Sequence, residues 1–186
     1  EALADAGLHE PQRVEVSEQA QPEIEQRAIR VDDDRRIELL LSLLENPSWT
    51  QVLVFDGSRR DSDRLASHLR TADVNAQALH GDLSQGRRMR MLQAFKDGEL
   101  QVLVATDLAA RGIDIARLPV VVNYELPRSS DDYLHRIGRT GRAGEKGQAV
   151  SFVDAASLAH WRLICKRNAL DVVVEQLAGF EPKQNA

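Results

Sequence analysis

Three arginines recur at a spacing of three in the stretch His-Arg-Ile-Gly-Arg-Thr-Gly-Arg, from His135 to Arg142. On a helix, Arg136, Arg139 and Arg142 would lie near one face, where like charges repel one another. The glycines at 138 and 141 would each cost roughly 0.5–1 kcal/mol relative to alanine inside a helix. Arginine forks bind phosphate through charge-assisted, often bidentate hydrogen bonds. The stretch therefore predicts a site for a polyanion, or for a transition state that gathers negative charge.

Three other segments, 56–60, 80–88 and 106–115, each carry a glycine, a hydroxyl and at least one arginine directly after a predicted strand. Ser58 is predicted to cap the helix that follows it, with Asp61 completing the pattern. Each segment alone is also compatible with a plain capped turn or a solvated basic face. Ligands bind beyond the carboxyl ends of parallel strands, so the four segments together predict one extended phosphate-facing edge. Such an edge suits nucleic acid plus a nucleotide better than one small ligand.

The elements that would position these segments are alternating strands and helices. Strands are predicted at 24–31, 51–55, 75–79, 101–105, 120–123, 149–153 and 172–174, and helices at 34–45, 59–72, 85–96, 130–137 and 155–168. Alternation of this kind is typical of βαβ units around a parallel sheet. The runs at 52–55 and 102–105 are apolar without alternation, as in strands buried on both sides. We therefore expect an α/β fold with a mostly parallel central sheet and helices on both faces.

Composition excludes several classes of protein. The 186 residues are 42% apolar and 28% charged, as in soluble globular domains. The single Cys165 cannot form an intrachain disulfide and suits a reducing compartment. With no apolar run of about 20 residues and no signal-peptide pattern, we expect a cytoplasmic location and no membrane contact. The net charge of −5 leaves room for nucleic acid, because segments 84–90 and 133–144 hold arginines and no acid.

Two components of a complete phosphate site are missing from this sequence. There is no G-x-x-x-x-G-K-[ST] loop to cradle a nucleotide. No strand ends in an obvious pair of acids for Mg²⁺, and no cysteine and histidine spacing suits zinc. We expect no metal site in this chain. An arginine-rich edge without a nucleotide-holding loop supplies only part of a nucleotide-binding site.

Two long motifs resemble a known family. V-L-V-A-T-D-L-A-A-R-G-I-D-I and Y-L-H-R-I-G-R-T-G-R-A-G are similar to the C-terminal RecA-like lobe of a DEAD-box ATP-dependent RNA helicase. V-L-V-F-D-G-S-R-R and H-G-D-L-S-Q-G-R-R resemble earlier motifs of the same lobe. The resemblance implies a three-layer RecA-like domain over 23–180. Residues 1–22 would be a remnant of the preceding lobe and the inter-lobe linker, and 181–186 a tail.

The resemblance also implies a role for each matching residue. Arginine fingers that reach the ATP phosphates are expected at Arg139 and Arg142. Further ATP contacts are expected at Gly112 and Asp114, and coupling between the lobes at Arg111, His135 and Arg136. Contacts to the RNA backbone, with little base specificity, are expected at Ser58, Arg59, Gly81, Gln85, Arg88 and Thr106. Where the family often has a branched residue and Asn or Thr, this chain has Asp56-Gly57-Ser58.

The activity implied is that of the second lobe of an ATP-dependent RNA helicase, which works by closing a cleft on ATP and single-stranded RNA. The Walker A loop and the D-E-A-D box, which would hold most of the ATP and its Mg²⁺, belong to the first lobe. This chain alone is therefore expected to be monomeric and inactive in ATP hydrolysis.

Two alternatives remain open. One is a non-catalytic RNA or protein docking module with a RecA-like fold. The other is a self-contained phosphate-handling enzyme, for which the sequence offers no identifiable nucleophile or metal cluster.

Overall fold

The structure is a computed structural model that describes residues 23–141 and 146–183. The predicted remnant of the preceding lobe and the inter-lobe linker, residues 1–22, lie outside these residues. So does Arg142, the second predicted arginine finger. Within the described ranges, no helix combines the length and the apolar character needed to cross a membrane.

Seven strands form one sheet in the order β3-β4-β2-β5-β6-β1-β7. Their bounds are β1 Glu23–Arg30, β2 Val52–Phe55, β3 Ala76–Leu79, β4 Val102–Ala105, β5 Val120–Asn123, β6 Lys146–Val153 and β7 Val174–Glu175. All the strand pairings in this sheet are parallel, which confirms the predicted parallel sheet. The carboxyl ends of β2, β3, β4 and β5, which the site segments follow, therefore meet at one edge.

Six α-helices connect these strands. Their bounds are α1 Arg36–Leu44, α2 Arg59–Thr71, α3 Gln85–Lys96, α4 Asp107–Ala110, α5 Ser130–Ile137 and α6 Leu158–Arg167, with a 3-10 helix at Asp33–Arg35. Four of them begin with a hydroxyl that accepts a hydrogen bond from the backbone N–H three residues later. These caps are Ser58, Ser84, Thr106 and Ser129. The predicted Ser58 cap is confirmed, with 3.1 Å from the Asp61 nitrogen to Oγ.

Helices cover both faces of the sheet, and alternation along the strands sends side chains to both. Val52 and Val54 of β2 pack in a cluster with α1 and α2, whereas Leu53 and Phe55 pack in a second cluster with α3. A third cluster, built around Trp161, joins α5 and α6 to β1 and β6. The predicted three-layer α/β architecture is thus confirmed.

The structure differs from the predicted elements in a few places. Strand β6 begins at Lys146, because pairing with Glu23 of β1 recruits residues that lack a strand pattern. Helix α6 begins at Leu158, because Asp154 and Ser157 form a turn in which each side chain accepts the other's backbone N–H. Residues 181–183, predicted as part of a tail, fold back, and the Lys183 N–H donates to Asp32 over 2.9 Å.

Candidate functional site

Arg136 lies in the last turn of α5 with only 3% of its surface exposed. Its Nε and Nη2 donate to the two carboxylate oxygens of Asp107, over 2.7 and 2.8 Å. Its Nη1 donates to Asn123 Oδ1 over 3.1 Å and to the Glu125 carbonyl over 2.7 Å. The guanidinium also lies 4.8 Å from the centre of the Phe55 ring. Arg136 therefore joins α5 to the start of α4 and to the carboxyl ends of β2 and β5.

The side-chain amide of Asn123 extends the hydrogen-bond network of Arg136 to Ser151. Asn123 is fully buried, and its Nδ2 donates to Ser151 Oγ over 3.0 Å, which directs its oxygen toward Arg136. Four of the five guanidinium N–H groups of Arg136 then have acceptors within this domain. A buried network with most of its donors satisfied holds its members in one arrangement. The prediction that Arg136 couples the two lobes stays a prediction, as does that for His135, whose side chain is exposed on α5.

Arg139 lies beyond the end of α5 and is held by three backbone carbonyls. Its Nη1 donates to Ile113 and Ile115 over 2.7 and 3.1 Å, and its Nη2 donates to Ala110 over 3.0 Å. The Nε–H and one Nη2–H have no acceptor among the described residues. Arg139 thus fixes the loop that carries residues 111–114 and keeps two donors for an anion.

The backbone around Arg139 is hydrogen-bonded to the segment before β5 and passes close to the start of β6. The Leu118 N–H donates to the Arg139 carbonyl over 3.0 Å, and the Gly141 N–H donates to Leu118 over 3.3 Å. A Cβ at Gly147 would lie 2.3 Å from the Gly141 nitrogen, so this crossing requires glycine. The spacing of three does not place Arg136 and Arg139 on one helix face, because α5 ends at Ile137.

Two predicted ATP-binding residues, Gly112 and Arg139, meet the three predicted coupling residues around a small cavity. His135, Arg136 and Arg139 line it, together with Arg111 and Gly112, and its volume is about 150 Å³. Gly112 has a φ of +72°, a left-handed conformation that glycine adopts readily. Arg111, Gly112 and the nearby Asp114 are all exposed.

An adjoining groove joins the ATP side to the predicted RNA side. Its volume is about 360 Å³, and Gln85, Arg88 and Asp114 line it together with Arg111 and Gly112. Arg111 and Gly112 therefore line both depressions. Arg88 has no ion-pair partner within the described part of the chain, so its charge is available to an anion.

The remaining predicted RNA residues lie on the loops after β2, β3 and β4. Arg59 forms an exposed ion pair with Asp82, which ties the loop after β2 to the loop after β3. Gly81 is exposed beside Asp82. Thr106 uses its hydroxyl to cap α4, accepting from the Ala109 N–H over 3.2 Å. These three loops lie at the same sheet edge as the groove.

Asp56 occupies the position where this sequence departs from the family pattern. It ends β2 with only 4% of its surface exposed, and its Oδ1 accepts the Gly57 N–H over 2.8 Å. Burial raises the pKa of Asp56 from 3.8 to about 6, against the lowering effect of that hydrogen bond. Carboxylate oxygens of Asp56, Asp61 and Glu125 lie within 4.8 Å of one another, and the charge of Glu125 contributes to this rise in the pKa of Asp56.

Sequence reasoning missed the residues that position the arginines. Asp107 and Asn123 were not predicted as site residues, although both stand at the carboxyl end of a strand, as ligand-side residues do. That location was the available signal. Their contact with Arg136 could not be predicted from the sequence, because it depends on how α5 packs against the sheet.

Comparison with known proteins identifies the family. Residues 35–144 match the helicase conserved C-terminal domain. Over 153 residues, 81% of the chain, it is 41% identical to the DEAD-box ATP-dependent RNA helicase CshA of Bacillus cereus. It superposes with a TM-score of 0.78 and 38% identity on Escherichia coli DEAD-box protein SrmB bound to regulator of ribonuclease activity A, covering 89% of this chain and 98% of that one. The chain belongs to the DEAD-box RNA helicases.

A second solved structure agrees with this assignment. The DEAD box protein from Methanococcus jannaschii is 42% identical with a TM-score of 0.75, over 83% of this chain and 42% of that chain. The present chain is thus a DEAD-box helicase C-terminal domain with a RecA-like fold. It spans 29% of the length of the Bacillus cereus helicase.

Proposed function

We propose that this DEAD-box domain is the second lobe of an ATP-dependent RNA helicase. In that role it supplies Arg139 and Arg142 to the ATP phosphates, with Gly112 and Asp114 beside the nucleotide. The observation that carries the proposal is the pair of adjoining depressions lined in common by Arg111 and Gly112. One holds the predicted phosphate arginine and the other the predicted RNA residues Gln85 and Arg88.

The state of Arg139 supports the phosphate role. Its contacts to the carbonyls of Ala110, Ile113 and Ile115 leave Nε–H and one Nη2–H for a phosphate oxygen. A guanidinium held in place before the reaction stabilises developing charge without reorganising. Arginine fingers contribute on the order of 10³–10⁵ to the turnover of phosphate-transfer enzymes.

The RNA role rests on the loops at the carboxyl ends of β2, β3 and β4. Ser58, Arg59, Gly81, Gln85, Arg88 and Thr106 would contact phosphate and sugar. Such contacts position the strand and carry little base information, so the domain would accept RNA of many sequences. Arg111, His135 and Arg136 would face or brace the preceding lobe, which would hold Mg²⁺ and most of the ATP. We place the parent protein in the cytoplasm as part of the same proposal.

ATP turnover by the parent protein, in which the preceding lobe is joined to this domain, tests the proposal. Turnover should be stimulated by single-stranded RNA and should fall on the order of 10³-fold on Arg139→Ala. Arg128→Ala is the matched control, because Arg128 is exposed on the loop before α5 and lines neither depression. An intact parent without RNA-stimulated turnover would instead favour a docking module. Substantial turnover by the 186 residues alone would contradict the two-lobe function.

A further inference from the structure

A groove lies on the flank of the sheet farthest from β3, between α6 and the edge strand β7. Its volume is about 640 Å³, and its apolar wall includes Leu158, Trp161, Leu170 and Val172. Val173 also lines it and has 77% of its surface exposed. We call this the α6–β7 groove. It has no residue in common with the two depressions at the phosphate edge.

The wall of the α6–β7 groove includes an open sheet edge. Strand β7 pairs with β1 on one side, where Ala28 is opposite Val174 and Ile29 is opposite Glu175. On its other side it has no strand partner within the described part of the chain. An open edge is a template for an added strand, in which backbone hydrogen bonds give affinity and alternate side chains give specificity.

The rim of the α6–β7 groove is basic. Arg30, Arg162 and Lys166 line it, and no described carboxylate does. Arg30 is ion-paired, since its Nη1 lies 3.7 Å from Asp32 Oδ1, and only 15% of its side chain is exposed. Arg162 and Lys166 are exposed on α6 and make no ion pair among the residues described. The chain as a whole has a net charge of −5. The rim is a local positive patch on this negative chain, and it attracts an acidic partner.

We infer that the α6–β7 groove docks an acidic segment of a partner protein in extended conformation. Aliphatic residues at alternate positions would meet the apolar wall, and glutamates or aspartates would meet Arg162 and Lys166. A protein segment fits better than RNA, because the groove offers no exposed ring on which a base could stack. Its one aromatic residue, Trp161, is 1% exposed. The inference is independent of the proposed helicase function.

Fluorescence anisotropy with a synthetic strand-length peptide that alternates glutamate with valine tests the inference. The unaltered chain should bind the peptide, and Arg162→Glu with Lys166→Glu should weaken binding roughly tenfold. The matched control is Arg167→Glu with Arg128→Glu, which reverses two exposed charges outside the groove. It should leave affinity within about twofold. A peptide with lysine in place of glutamate should reverse the preference and bind the Arg162→Glu, Lys166→Glu variant more tightly than the unaltered chain.

Four outcomes would overturn the inference. The first is no binding of the glutamate–valine peptide by the unaltered chain, and the second is an equal loss in the control pair. The third is displacement of the peptide by a single-stranded uridine oligonucleotide whose own affinity falls in the Arg162→Glu, Lys166→Glu variant. The fourth is a concentration-dependent dimer, seen by analytical ultracentrifugation and abolished by that variant, since a second copy would then occupy the groove. Circular dichroism of each variant verifies that it is folded.

Discussion

Two arginine-rich regions of this domain use the same side chain in opposite ways. At the end of α5, Arg136 is buried and bonded to Asp107, Asn123 and the Glu125 carbonyl. At the start of α3, Arg87 and Arg88 stand near solvent with no ion-pair partner among the described residues. The buried arginine acts through geometry and holds other groups in place. The α3 arginines offer a positive charge that attracts a bound polyanion, and salt screens this attraction.

The largest expected effect is on the buried side of this comparison. Arg136→Ala should lower the free energy of unfolding by about 4 kcal/mol, because it leaves buried Asn123 and partly buried Asp107 without their partner. Urea unfolding of the variant measures this change. In a double-mutant cycle with Asp107→Ala, the two losses should be strongly non-additive. Additive losses would mean that the pair is not the source of the stability.

Removal of a second buried charge, that of Asp56, should raise the stability of the domain, whereas removal of Arg136 should lower it. The raised pKa of Asp56, about 6 in the folded domain against 3.8, means that the folded state binds its proton more tightly. Its stabilising contribution is therefore full below about pH 4 and lost as the pH rises through 6. Asp56→Asn should raise stability by about 3 kcal/mol at pH 8, since one pKa unit corresponds to about 1.4 kcal/mol.

Urea unfolding of Asp56→Asn and the unaltered chain at pH 4 and at pH 8 measures this effect. The difference between them should shrink toward acid pH. Asp61→Asn is the control, since Asp61 belongs to the same acidic cluster but is only partly buried. A gain in stability that does not depend on pH would contradict burial of the charge as its cause.

On the exposed side, Arg88→Gln should change RNA binding and leave stability nearly unaltered. Affinity for a single-stranded oligonucleotide should fall several-fold at low salt, and the slope of log affinity against log salt should decrease by about 0.7. Surface substitutions of this kind usually alter stability by less than about 0.5 kcal/mol. Titrations at several salt concentrations, beside Arg128→Gln, distinguish a phosphate contact from a general charge effect.

The smallest expected effect concerns the Arg59–Asp82 ion pair. Both side chains are more than half exposed, at 57% and 64%, so solvent screens their attraction. Arg59→Ala and Asp82→Ala should each destabilise the domain by less than about 0.5 kcal/mol in urea unfolding. If either variant lost as much unfolding free energy as Arg136→Ala, the exposed and buried arginines would not differ in their contribution to stability.

Much of the fold could be predicted because its signals are local. The apolar runs of β2 and β4 and the capping serines at 58 and 129 lie in short stretches of sequence. The start of β6 could not be predicted, since Lys146 and Gly147 become strand only by pairing with β1. Helix α4, from Asp107 to Ala110, was missed because a single turn has no periodicity.

The site was predicted at the level of residues and not of contacts. Both arginine segments could be found by composition and spacing. The carbonyl contacts of Arg139 depend on the path of the loop from Ala110 to Ile115, which no side-chain pattern encodes. The roles of Asp107 and Asn123 depend on where Arg136 lies after α5 has packed. Such positions follow from tertiary structure alone.

The position of β1 has a consequence for how the domain is made. Strand β1, the first strand among the described residues, lies between β6 and β7, the last two of them. During synthesis, β1 therefore emerges from the ribosome long before β6 and β7 have been translated. Both of its edges stay unpaired until then. Pairing between such distant parts of a chain is slow and leaves strands open to wrong partners. Completion of the sheet is thus a late event, which leaves the edges of β1 exposed until β6 and β7 have been translated.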